Sequence, residues 1–285
     1  MFNDLKIKQL DRKGLDTLIS WAAAEGWNPG PYDAEVFWQT DSEAYVGYYH
    51  NNILIAGGSI VSYDGHFGFM GFFIVQPEFR SQGIGQKLWT ERRNLLLSRL
   101  KPGAAIGMDG VVAMQDFYRR GGFELAFRDE RYERIGEQFE VDNQVSGITA
   151  ADFPAVVAYD TACFGVPRPH FIKPWLLMPE SYRFKFVHKG SVKGFAVLRK
   201  AGHGFKIGPL FASDALVAEA LYRACLNAVP GEAVFLDIPV NNPGAVQLVK
   251  NYKANYVFEC ARMYYGKPPV LQTEKIYGIT TFELG

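Results

Sequence analysis

The sequence predicts a mixed α/β fold, of the α+β type with a mixed sheet, arranged as two tandem domains. Two observations lead to this prediction. The 285 residues fit two domains of about 140 residues each. Predicted strands and helices alternate along the first half, and the second half repeats their order. We therefore divide the chain into residues 1–136 and residues 137–285, the second domain being a degenerate copy of the first.

Apolar periodicity and turn residues define the elements of the first half. Asp33 is placed as the N-cap of a short helix, and Asn51-Asn52 predicts a hairpin turn between two apolar runs. The predicted elements are strands at 5–10, 45–49, 53–62, 69–75, 104–108 and from 123, with helices at 11–24, 32–39, 86–100 and 116–120.

A polar stretch from Arg131 to Asp142 is interpreted as a strand end and linker, after which the pattern starts again. Thr149 is placed as a helix cap, and Lys189-Gly190 as a hairpin turn. The elements expected here are strands at 145–148, 182–187, 191–200, 205–211, 233–238 and 256–264, with helices at 149–159, 214–227 and 245–252. An unrelated second α/β domain is the alternative.

The most informative stretch is the glycine-containing loop Arg80-Ser81-Gln82-Gly83-Ile84-Gly85, which lies between an apolar strand and a helix. Free N–H groups at a helix start, together with the positive end of the helix dipole, bind phosphate groups. A Rossmann loop requires a third glycine where Leu88 stands, and the Gly-Lys-Ser/Thr of a Walker loop is absent. The pattern that remains is R-x-x-G-x-G, after a strand that ends near Val75 and Pro77.

This pattern closely resembles the coenzyme A pyrophosphate loop of the GNAT acetyltransferase superfamily. Residues 116–124 resemble the family's second motif, a helix that ends in a tyrosine before Gly-Phe. Residues 25–30, 206–211, 235–239 and 278–285 resemble the two-domain type with a YitH-like C-terminal domain. The resemblance implies a catalytic first domain and a GNAT-like second domain without a cofactor loop.

What the resemblance implies is transfer of the acetyl group of acetyl-CoA to the amine of a small molecule, by direct attack in a ternary complex. An enzyme acting on protein or peptide amines and a non-catalytic acyl-CoA sensor are the alternatives. The residues expected to hold the cofactor are Phe73, Ile74, Val75, Arg80, Ser81, Gln82, Gly83, Ile84, Gly85, Gln86, Lys87 and Tyr118.

The same resemblance suggests roles in the chemistry. Tyr118 is the candidate acid for the departing thiolate, the alternative being a packed aromatic side chain. Glu25 and Asp109 are candidate bases, the alternative for each being a helix cap or a solvated carboxylate. The residues expected at the acceptor site are Trp27, Asn28 and Asp33.

The second domain lacks the loop. Gly208-Pro209 and Asp214 stand at the corresponding place, where proline offers no N–H and aspartate repels phosphate. We therefore expect this half not to bind coenzyme A.

Composition limits the other functions. Thirty basic and thirty acidic residues balance, so no overall field attracts nucleic acid. No apolar run approaches the roughly 20 residues of a membrane helix, and the histidines show no metal spacing. Three scattered cysteines suggest reduced thiols in the cytoplasm. A monomer and a homodimer both remain open.

Overall fold

A computed structural model describes residues 5–285, which form fifteen strands and eight α-helices. The first half contains β1 (Ile7–Gln9), α1 (Arg12–Ala24), α2 (Asp33–Thr40), β2 (Tyr45–His50), β3 (Ile53–Ser59), β4 (Val61–Tyr63), β5 (Phe67–Phe69), β6 (Ile74–Val75), α3 (Ile84–Ser98), β7 (Ala105–Val111), α4 (Gln115–Arg120) and β8 (Glu124–Ile135). The second half contains β9 (Val145–Gly147), α5 (Phe153–Phe164), α6 (Pro169–Leu176), β10 (Ser181–His188), β11 (Ser191–Lys200), β12 (Phe205–Ala212), α7 (Ala215–Ala228), β13 (Ala233–Pro239), α8 (Pro243–Asn251), β14 (Asn255–Tyr265) and β15 (Ile276–Gly278).

The two halves share one large mixed sheet, in the order β4-β5-β7-β14-β8-β13-β12-β11-β10-β9. β14, from the second half, lies between β7 and β8, and β8 lies between β14 and β13. Each half therefore completes its sheet with a strand from the other. Strands β1, β2, β3 and β6 form a separate four-stranded sheet.

The predicted turns and caps are confirmed at several points. Asn51-Asn52 and Lys189-Gly190 take positive φ angles between paired strands, as hairpin turns of two residues require. Thr149 forms a capping box with Asp152.

Three sequence-based assignments differ from the structure. Only part of the stretch from Arg131 to Asp142 lies outside a strand: residues as far as Ile135 belong to β8, because pairing with β13 and, as far as Glu133, with β14 compensates for their polarity. Asp33 is the first residue of α2 and not its N-cap. Helix α6 was missed because Pro169 and Pro174 lie within it.

In the first half, a V-shaped gap opens between β7 and the chain that follows β5. We call this gap the wedge. β5 pairs in parallel with β7 from Phe67 to Phe69, after which the chain bends at Phe72, which has φ of 51°. β6 then pairs with β3 instead of β7. The fully buried Arg92 of α3 stabilises the bend, because its Nη2 donates to the carbonyl oxygens of Ser59 and Gly71 at 2.5 and 2.6 Å.

The second half has the same parallel pair but no open wedge. β12 pairs in parallel with β13 only from Phe205 to Ile207. Beyond that point β15 pairs with Leu210 and Phe211 of β12, and Ile279 N–H donates to the carbonyl oxygen of Asp237 in β13 at 2.9 Å. The C-terminal strand therefore fills this second wedge.

Candidate active site

The wedge of the first half leads to a cavity of about 70 Å³. Four of the residues selected from the sequence line it, namely Trp27, Phe73, Asp109 and Tyr118. The second half adds four residues that sequence reasoning missed, namely Phe258, Cys260, Phe282 and Glu283. The cavity is thus built from both halves.

Tyr118 is held rigidly at this cavity. It lies on α4, and Gly122, with φ of 89°, takes the left-handed conformation expected after the helix. Its ring contacts Trp89, with centroids 4.9 Å apart, and a Cβ at Gly110 would lie only 2.3 Å from it. Burial raises the pKa of the Tyr118 phenol, although the charge of Arg92 opposes this effect. The hydroxyl therefore keeps its proton at neutral pH and is able to donate it.

Asp109 forms a bidentate ion pair in the same cavity. Its two oxygens accept hydrogen bonds from Nε and Nη2 of Arg262 at 2.5 and 2.7 Å. Asp129 is fully buried beside it, and burial together with the charge of Asp109 raises the pKa of Asp129. Nε of Arg262 lies 4.0 Å from Asp129 as well, so one guanidinium faces two neighbouring carboxylates.

The predicted phosphate loop has the geometry of an anion-binding helix start. Gly83 takes a left-handed conformation with φ of 79°, Ser81 has φ of 61°, and α3 begins at Ile84 without a side-chain cap. A Cβ at Gly85 would lie 3.6 Å from both Phe73 and Val75, which places the helix start beside the strand that leads to the cavity.

Glu25 does not line the cavity. Its carboxylate pairs with the Arg80 guanidinium, whose Nε also donates to the carbonyl oxygen of Val75 at 2.8 Å. This pair connects the end of α1 to the phosphate loop. Lys87 lies nearby, where its Nζ donates to the carbonyl oxygen of Leu5 at 2.6 Å.

Asn28 and Asp33 connect the halves. Asn28 exchanges two hydrogen bonds with the backbone of His203, at 2.7 and 2.9 Å. Asp33 is fully buried, accepts a hydrogen bond from Gly30 N–H at 2.8 Å and pairs with Arg199 at 2.9 Å. Neither lines the cavity, although the Trp27 beside them does.

The second half presents a different helix start. The Asp214 side chain caps α7 by accepting a hydrogen bond from Val217 N–H at 3.0 Å, and the Gly208–Pro209 peptide bond is cis. A carboxylate therefore occupies the position where an anion-binding loop offers free N–H groups.

Within residues 5–285, no cluster of three or more His, Cys, Asp or Glu side chains is arranged to hold a metal ion. Over the same range, no helix is both long and apolar enough to span a membrane. Cys163, Cys225 and Cys260 are buried free thiols.

An uncapped helix start beside a wedge that leads to a buried tyrosine agrees with the arrangement that the resemblance to GNAT acetyltransferases implies. Family models agree. The model described as the acetyltransferase (GNAT) family matches residues 12–123, and that described as the acetyltransferase (GNAT) domain matches residues 156–278. The chain is also 30% identical over 267 residues to holothin acyltransferase of Pseudoalteromonas sp. (strain SANK 73390), covering 93% of this chain and 89% of that protein. The chain therefore belongs to the GNAT acetyltransferase family.

Solved structures confirm the tandem fold. A putative acetyltransferase from Pyrococcus horikoshii aligns with a TM-score of 0.84 at 20% identity, covering 100% of this chain and 97% of that one. A tandem GNAT protein from the clavulanic acid biosynthesis pathway aligns with a TM-score of 0.66 at 14% identity, covering 94% and 100%. The mixed α/β fold in two GNAT domains is as the sequence predicted.

Proposed function

We propose that the protein transfers the acetyl group of acetyl-CoA to the amine of a small molecule, by direct attack in a ternary complex. The observation that carries this proposal is the position of Tyr118, a buried tyrosine that lines the cavity to which the wedge leads. Residues 1–136 form the catalytic domain, and residues 137–285 form a GNAT-like domain that binds no cofactor.

The phosphate loop is suited to the pyrophosphate of acetyl-CoA. We expect the pyrophosphate to lie on the N–H groups from Gln82 to Gln86, because the helix start has no side-chain cap and a Cβ at Gly83 would meet no atom within 4 Å. The pantetheine then lies along Phe73 to Val75, where the chain has left β7 and pairs with β3, and a main-chain N–H group on the side of the wedge binds the thioester oxygen.

Three bond changes complete the reaction. The amine nitrogen forms a bond to the carbonyl carbon, the bond from that carbon to sulfur breaks, and the leaving thiolate takes the hydroxyl proton of Tyr118. A thiolate comparable to cysteine, with a pKa of about 8.5, leaves more readily when it is protonated as the bond breaks. A proton lost by the amine restores Tyr118.

Direct attack is favoured over an acetylated enzyme because of the state of Cys260, the thiol in the cavity. Burial and the carboxylates of Asp109, Asp237 and Asp129 raise its pKa. It therefore stays a thiol at neutral pH, whereas the thiolate is the nucleophilic form.

A small acceptor is favoured by the size of the cavity, which is about 70 Å³ and is lined by rings from both halves. The relative that is 30% identical is named for its acceptor, holothin, and not for a protein target. The free cysteines suit the cytoplasm as the location, and a monomer or a homodimer is compatible with all of this.

The test is to incubate the protein with acetyl-CoA and a panel of small amines, with lysine-containing peptides alongside. Release of the coenzyme A thiol and the mass of the acetylated product are measured. We expect a small-molecule product, intersecting initial-rate plots and no acetylated protein. Acetylation of peptides alone, or tight acetyl-CoA binding without turnover of any amine, contradicts the proposal.

A further inference from the structure

The C-terminal segment, residues 279–285, passes from the filled wedge of the second half into the open wedge of the first. Tyr63 of β4 donates its hydroxyl hydrogen to the carbonyl oxygen of Leu284 at 2.6 Å. The carbonyl oxygen of Glu283 lies so close to Gly71 that a Cβ there would stand 2.2 Å from it. Because Gly71 has no side chain, the segment packs against the bend, and Glu283 lines the cavity together with Tyr118.

Glu283 presents a carboxylate oxygen that the fold leaves available. The residue is only 4% exposed. Its Oε2 accepts a short hydrogen bond from the Thr281 hydroxyl. Its Oε1 accepts no hydrogen bond from any side chain or backbone group in the described chain, and no basic side chain there forms an ion pair with it.

Asp109, the other acidic side chain in the cavity, differs in this respect. Arg262 occupies both of its oxygens. Its charge is therefore balanced within the fold. Of these two carboxylates, Glu283 is the one with an oxygen free to receive a ligand.

The charged groups facing Glu283 favour a cationic ligand. Those that interact with it through space are Asp33 on α2, Asp109 on β7, Arg131 on β8 and Lys206 on β12. Arg131 is neutralised by a bidentate pair with Asp237, at 2.6 and 2.7 Å. Burial, reinforced by the charges of Arg131 and Arg199, lowers the pKa of Lys206, so this amine repels a second cation less than an ordinary lysine does.

We propose that Glu283 receives the ammonium group of the acceptor and takes a proton from it, which generates the nucleophile. An N–H bond of the ammonium breaks and an O–H bond forms on the Glu283 carboxylate, leaving the nitrogen lone pair free to attack the thioester. Glu283 later releases this proton to solvent. The inference rests on the proposed function and narrows the acceptor to amines that are protonated at neutral pH.

The test compares wild type with Glu283→Gln on one aliphatic primary amine from pH 7 to pH 9. Glutamine keeps the length of the side chain and an acceptor for Thr281 but removes the charge and the basicity. We expect kcat/KM of the variant to fall at least about 100-fold at pH 7, the lower end for acid–base catalysis. It then rises about tenfold per pH unit, because only the free amine, with an ammonium pKa of about 10.4, reacts. The wild-type profile rises less steeply.

Glu274→Gln is the matched control, since Glu274 is an exposed carboxylate on the same C-terminal part of the chain. We expect it to match wild type in rate and in pH profile. Unchanged acetyl-CoA affinity in Glu283→Gln, measured by calorimetry, shows that the cofactor site is intact.

Parallel pH profiles of wild type and Glu283→Gln overturn the inference and leave the proposed function standing. If the wild-type protein acetylates none of the amines, the proposed function itself is contradicted. If Glu283→Gln is insoluble, Glu283→Asp is measured instead. A lower kcat/KM with the wild-type slope supports the role of the carboxylate, and a tenfold rise per pH unit contradicts it.

Discussion

The two halves share an element order but differ at the start of the helix that follows their middle strand. In the first half, α3 begins at a left-handed Gly83 without a cap, so its N–H groups are open to an anion. In the second half, the Asp214 carboxylate caps α7 and places a negative charge there. A few residues therefore separate an uncapped helix start, where we propose a phosphate binds, from one that carries a negative charge.

The wedges of the two halves also differ, and again only the first half leaves room for a ligand. That of the first half is open and ends at Tyr118, whereas that of the second half is filled by β15. We expect the acidic cap of α7 and the filled wedge to be two separate obstacles to coenzyme A. The second half makes two structural contributions to the first. Its strand β14 completes the sheet beside β7, and its residues Cys260 and Glu283 line the cavity.

The largest expected effect tests the tyrosine at the open wedge. Tyr118→Phe keeps the ring and its packing on Trp89 but removes the hydroxyl proton. We expect kcat to fall by about 10²- to 10⁴-fold with little change in acetyl-CoA affinity. Steady-state rates and calorimetry measure the two quantities.

Tyr252→Phe is the control from the second half. Its hydroxyl donates to Glu219 at 2.9 Å and lies outside the cavity, so we expect normal kcat and a stability loss of about 1 kcal/mol. Wild-type turnover in Tyr118→Phe, with chemistry shown to be rate-limiting, rules out the acid role.

A smaller effect tests the phosphate loop. Gly85→Val places a branched side chain at the helix start beside Phe73 and Val75. We expect the Kd of acetyl-CoA to rise at least about tenfold, or about 1.4 kcal/mol, because phosphate no longer approaches the backbone. Calorimetric titration measures it.

Ala215→Val, at the exposed first position of α7, makes the same kind of change in the second half. We expect it to leave the Kd unchanged. Equal affinity in a folded Gly85→Val variant contradicts the placement of the pyrophosphate.

The smallest expected effect comes from a substitution that removes the acidic cap of the second half and leaves its wedge filled. Asp214→Ala removes the cap and the repelling charge, and we expect the free energy of unfolding to fall by about 1 kcal/mol. Because β15 still fills the wedge, the stoichiometry stays at one acetyl-CoA per chain. Denaturant titration and calorimetry check both values, and a second equivalent of bound cofactor speaks against the filled wedge.

Local signals were sufficient for much of the fold. The hairpin turns, the Thr149 cap and the glycine after α4 follow from short-range backbone preferences, which neighbouring residues determine. The loop at 80–85 was recognised for the same reason, since a strand, two glycines and a helix are adjacent in sequence.

The missed features depend on long-range contacts. The extent of β8 was underestimated because Asp237, the partner of Arg131, is distant in sequence and the strand pairs with the other half. Glu283 had no local pattern of its own, although the segment around it was noticed. Only the path of the chain after β15 brings it to Gly71.

The interleaving of β8 and β14 constrains how the protein is made. During synthesis the first half leaves the ribosome before β14 is made. The edges of β7 and β8 that pair with β14 therefore stay unpaired until residues 255–265 have been synthesised. Pairings between such distant segments slow folding, and exposed strand edges invite aggregation. The duplicated halves are therefore no longer independent folding units. Either half, expressed alone, lacks a strand that its sheet takes from the other half.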